Sequence, residues 1–129
     1  MSVPIPVRWL LTLGLIVLII VLSVTPGNAK EGDSGFVWLV AITPAIVQKV
    51  MHFVAYGVLA TLGWWTAETI ERDRYRALAV LLLCAGLGAV LEWYQTYVPG
   101  RFGSLTDILV NLVGALSALT TVVLRNSAR

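Results

Sequence analysis

Apolar positions fall in four long blocks divided by short polar breaks. A helix needs about 20 such residues to cross a bilayer. The blocks predict spanning helices over residues 8–24, 44–66, 77–97 and 104–124. The breaks "TPGNAKEGDSGF", "AETIERDRYR" and "VPGRFG" supply the glycine, proline and charged residues expected of loops. The predicted fold is all-α: a four-transmembrane-helix bundle forming one membrane-embedded domain over residues 1–129. The first block is also short enough for a signal peptide, with "GNA" before Lys30 resembling a cleavage site. Its leader is only weakly basic, with Arg8 alone, so a retained span is expected.

Polar positions inside the blocks follow helical spacing. Lys49, His52 and Tyr56 are i, i+3 and i+7, and Ala60 and Gly63 continue their stripe. The third block repeats the plan with Ala85, Gly88, Glu92 and Gln95. The fourth has Ser104, Asp107, Asn111, Gly114 and Ala118. Polar groups in lipid must face the bundle interior or a wet cavity, and small residues let helix backbones approach closely. Three helices therefore predict a tight zone of small residues that opens, at one end, into a polar pocket. The first block carries only Gly14 in this sense and is expected to be peripheral. Trp9, Trp38, Trp64, Trp65, Trp93, Tyr94 and Tyr97 fall near the predicted ends, where an aromatic belt belongs.

Composition agrees with a lipid solvent. The chain is 58% hydrophobic and 12% charged, with a mean hydropathy of +0.86, whereas a soluble domain has roughly 25% charged residues. The net charge of +2 is spread thinly, without a basic patch, which argues against nucleic acid. Cys84 is the single cysteine, so no intrachain disulfide forms. With four spans, Arg8, Arg72, Arg74, Arg76, Arg125 and Arg129 share one side, against Lys30, Lys49 and Arg101 on the other. The richer side is expected in the cytoplasm. Both termini are then cytoplasmic, the polar pocket faces outward, and a multi-pass protein of the bacterial cytoplasmic membrane is expected.

The pocket residues have recognisable chemistry. Lys49 and Arg101 suit a phosphate or carboxylate, Arg by a bidentate grip. His52, with Glu92 or Asp107, suits acid–base work. Tyr56, Gln95, Ser104 and Asn111 complete the candidate binding set. Each residue also has a structural reading. Lys49 snorkels, Tyr56 packs, and Gln95 and Asn111 bond between helices. Glu92 and Asp107 neutralise Lys49 and Arg101, and Ser104 caps a helix in "SLTD". His52, Glu92 and Asp107 would also hold one divalent ion. A single His with scattered carboxylates has poor ligand spacing, so neither metal nor cofactor is expected.

Two segments carry a family resemblance. "QKVMHFVAYGVLATLG" reads as Lys-x-x-His-x-x-x-Tyr. "EWYQTYVPGRFGSLTDILVNLVGA" reads as Glu-x-x-Gln, then Pro-x-Arg-x-x-Ser-x-x-Asp-x-x-x-Asn-x-x-Gly. In these motifs, from Lys49 to Gly114, the chain resembles the VanZ-like family of small integral membrane proteins. The resemblance covers the second to fourth blocks. It implies a role at the cell envelope, since the name-giving member is associated with teicoplanin resistance. The expected function is to bind or process an anionic lipid-linked or cell-wall group on the outer face. The alternative is a non-enzymatic scaffold or interaction subunit, with a membrane-protein partner and polar residues as interhelical glue. A transporter ranks third, because four spans are few and no inverted repeat is visible.

Overall fold

The computed structural model describes residues 3–128. Five helices follow one another: α1 (Ile5–Val24), α2 (Gly35–Ile42), α3 (Ala45–Thr66), α4 (Asp73–Gln95) and α5 (Leu105–Ser127). There is no strand among the described residues. All but α2 are long and apolar enough to cross a membrane, so the predicted spans are present with shifted ends. α1 starts before Arg8 because Pro6 fits its first turn, where no intrahelical N–H partner is lost. α4 begins at Asp73, whose charge suits a helix N-terminus, and ends before Pro99.

The eight-residue helix α2 was not among the predicted elements. Ser34 caps it, its hydroxyl accepting the Val37 N–H at 3.4 Å. Pro44 then opens α3. Eight apolar residues are too few to span, and Phe36, Trp38, Leu39 and Ile42 are exposed while Val40 is buried.

α3 is the central helix and packs most extensively against α5. The contact is tight because a Cβ on Gly114 would stand 2.3 Å from the Phe53 carbonyl oxygen. The predicted small-residue zone is therefore a backbone-to-backbone seam. Around it lie Leu59, Ala60, Cys84, Ala115 and Leu119, all buried. Large apolar side chains on the outer faces, such as Leu10, Leu82 and Leu109, are exposed. Such faces match lipid, where packing rather than water exclusion holds helices together.

α1 is less peripheral than expected. It packs on α3 and α4 and buries Arg8, Thr12, Ile19 and Ser23 along one face. Thr12 Oγ1 meets Thr66 Oγ1 at 2.8 Å. Arg8 pairs with Glu68 and donates to the Trp65 carbonyl at 3.3 Å. Arg76 donates through Nε to the Trp64 carbonyl at 2.7 Å. Two guanidinium groups from other helices thus satisfy carbonyls at the C-terminus of α3, where the helix dipole is negative. They also stack, 4.8 Å from the Trp65 ring and 4.4 Å from that of Trp64. Trp64 is consequently buried rather than part of a belt; Trp9, Trp38, Trp93, Tyr94 and Tyr97 are exposed. Arg129, counted above for orientation, lies outside the described residues.

At the opposite end two loops interlock. The Gly27 N–H donates to the Pro99 carbonyl at 2.9 Å. A Cβ on Gly27 would sit 2.0 Å from the Gly100 carbonyl oxygen, and one on Gly100 would sit 2.5 Å from Asn28 N. Gly100 also has φ +74°, a conformation that side chains disfavour.

Candidate functional site

The interlocked end of the bundle brings together the N-termini of α3 and α5 and the C-termini of α1 and α4. Every candidate residue predicted from the sequence converges there. Lys49, in the first turns of α3, pairs through Nζ with Asp107 Oδ1 at 2.5 Å and donates to Thr106 Oγ1 at 2.9 Å. His52, about one turn further, has Nδ1 2.9 Å from Asn111 Oδ1, which anchors the ring. The same nitrogen lies 3.8 Å from Glu92 Oε1.

Glu92 is 2% exposed. Its Oε2 accepts the Ser104 N–H at 3.0 Å. A carboxylate from α4 therefore satisfies a free amide at the start of α5, at the positive end of that helix. The Ser104 hydroxyl does not cap the helix; it bonds Thr106 Oγ1 at 2.6 Å instead. Among the described residues Glu92 Oε1 has no hydrogen-bond partner, and neither does Asn111 Nδ2. Buried polar atoms are rarely left so, because desolvation without a bond costs about 1–3 kcal/mol.

A cavity of about 90 Å³ opens beside His52. Leu22, Val40, Met51 and Ala55 give it apolar walls. Gln48, His52, Tyr56, Gln95 and Arg101 give it a polar end. Arg101 does not pair with Glu92 or Asp107, contrary to one structural reading. It donates to the Leu22 carbonyl at 3.0 Å, the Thr25 carbonyl at 3.1 Å and Gln48 Oε1 at 2.8 Å. Leu22 lies in the last turn of α1 and Thr25 is its C-cap residue, so the guanidinium caps that helix. Burial holds Arg101 below its ordinary pKa, and the Glu92 charge opposes that shift.

The candidates thus divide. His52, Tyr56, Gln95 and Arg101 face the cavity; Lys49, Glu92, Ser104, Asp107 and Asn111 form a bonded cluster behind it. His52 belongs to both. Gln48 was missed by the sequence reading, although a polar residue in the first turn of a span beside Lys49 was a usable signal. One donor atom each from His52, Glu92 and Asp107 lie within 4.8 Å of one another. The sequence had already suggested the same three residues, from three different blocks, while their scattered spacing counted against a metal.

A family model described as VanZ/LLP1 matches residues 8–126. An uncharacterized protein of Schizosaccharomyces pombe is 31% identical over 91 residues, 69% of this chain and 54% of that protein. The chain therefore spans about half the length of that curated relative. No solved structure matches the chain significantly.

Proposed function

The chain belongs to the VanZ/LLP1 family, and from that premise we propose that its polar end binds or processes an anionic group carried on a lipid or a cell-envelope precursor. One observation carries the reading: the cavity beside His52 joins apolar walls to a cationic, hydrogen-bonding end. That combination suits a ligand with a greasy tail and a charged head. Arg101 has N–H groups beyond those it spends on Leu22, Thr25 and Gln48. Tyr56 and Gln95 line the same end, and Lys49, Ser104 and Asn111 support it from behind. His52, backed by Glu92 and Asp107, is the acid–base element. The termini and the segment 67–76, which together hold most of the arginines, occupy the cytoplasm, so the cavity opens on the outer side of a bacterial cytoplasmic membrane.

A second reading has its own observation. Arg101 and Lys49 both bond to groups of the chain itself, as interhelical glue in a scaffold subunit would. Photolabelling separates the two. Protein in lipid nanodiscs is irradiated with a photoreactive polyprenyl phosphate. Arg101→Gln should cut labelling about 10-fold or more, the loss of one charge-assisted bond. Val40→Trp, which fills the cavity without touching a charge, should do the same. Equal labelling of both variants and the parent, at unchanged melting temperature, overturns the ligand reading in favour of the scaffold.

A further inference from the structure

We infer that His52, Glu92 and Asp107 form a binding site for one divalent transition-metal ion of the Zn²⁺ or Mn²⁺ class. The inference deepens the reading above. It rests on this end of the bundle being the working end, and it names what the acid–base group becomes there.

The donors come from three elements: His52 from α3, Glu92 from the last turn of α4 and Asp107 from the first turn of α5. Their nearest donor atoms lie within 4.8 Å of one another. Ligands bound at about 2.0–2.2 Å stand roughly 3–3.5 Å apart around one ion. Small side-chain rotations close the difference. One imidazole with two carboxylates is a mixed nitrogen and oxygen set that suits Zn²⁺ or Mn²⁺. Three protein donors leave coordination positions open, as in metal sites that take a further ligand.

A second, independent observation points to a ligand. Glu92 is 2% exposed, its Oε2 is held by the Ser104 amide at 3.0 Å, and its Oε1 has no partner among the described residues. That free oxygen faces His52 at 3.8 Å. A carboxylate oxygen left without a bond inside a membrane protein is costly, and a cation between it and the ring removes that cost. Asn111 Oδ1 bonds the same ring nitrogen, Nδ1, that faces the free oxygen, so that bond yields when Nδ1 turns to the ion.

Lys49 is the competitor. Its ammonium occupies Asp107 Oδ1, and its side chain is 38% exposed. It can swing away toward the headgroup region, leaving two carboxylate charges to be matched by the ion's two positive charges. Since His52 also walls the cavity, the open positions would face a bound anionic group.

The test uses the full chain purified in nanodiscs, stripped with chelator and titrated calorimetrically with Zn²⁺ or Mn²⁺ alone. The expected result is saturable binding of one ion per chain. Glu92→Gln and His52→Ala should weaken it at least 10-fold, in line with loss of a ligand. Lys49→Met should tighten it, a change of sign that misfolding does not produce. No saturable binding by protein with its native melting temperature overturns the site, as does binding that Glu92→Gln and His52→Ala leave unaltered. Photolabelling of the metal-stripped protein reports on the cavity separately, so the loss of either result leaves the other interpretable.

Discussion

Glu92 has one oxygen engaged and one free, which makes its variants informative. Glu92→Ala removes the acceptor for the Ser104 amide and leaves that part-buried N–H without a partner. The expected loss is about 1–3 kcal/mol, measured as a lower thermal unfolding midpoint. Glu92→Gln keeps a carbonyl oxygen for Ser104 and should stay within about 1 kcal/mol of the parent. The pair separates the structural oxygen from the free one. At this scale the sequence identified which residues gather at the polar end better than what each one touches. Helical spacing aligned Lys49, His52 and Tyr56, and all three reached the polar end. It could not foresee that Glu92 would bond the start of α5 in place of the Ser104 hydroxyl, because the two come from different helices. Arg101 was misjudged for a related reason. Its partners are backbone carbonyls of α1, and a sequence displays side chains, not unsatisfied carbonyls.

The helices divide by how their signals are written. α3, α4 and α5 were legible because polar and small residues recur together on one face. α1 hid its role because the buried stripe, Arg8, Thr12, Ile19 and Ser23, is interrupted by Leu15 and Ile16, which look like any lipid-facing residue. α2 was invisible because an apolar run of eight has neither spanning length nor polar periodicity. Its exposed residues predict contact with acyl chains rather than water. A spin label at Leu39→Cys should collide more often with dissolved oxygen than with a water-soluble nickel complex. The reverse order would put α2 in the aqueous loop.

On the scale of the whole molecule, the exposed apolar exterior and the alternation of spans follow from composition alone, but sidedness rests on arginine counts. Cysteine labelling tests it in intact cells. Cys84 is 1% exposed, so the native thiol should stay silent toward an impermeant maleimide. Glu31→Cys, beside the polar end, should react from outside, whereas Ser127→Cys should react only after lysis. The opposite pattern would turn the cavity toward the cytoplasm. Chain length in the connections at the polar end is constrained unequally. The loop holding Gly27 and the loop holding Gly100 are fitted together with no space for a methyl group. A residue added to either must be answered in the other, so their lengths are locked as a pair. Gly32 meets nothing within 4 Å, and an epitope spliced beside it would extend freely without disturbing that clasp.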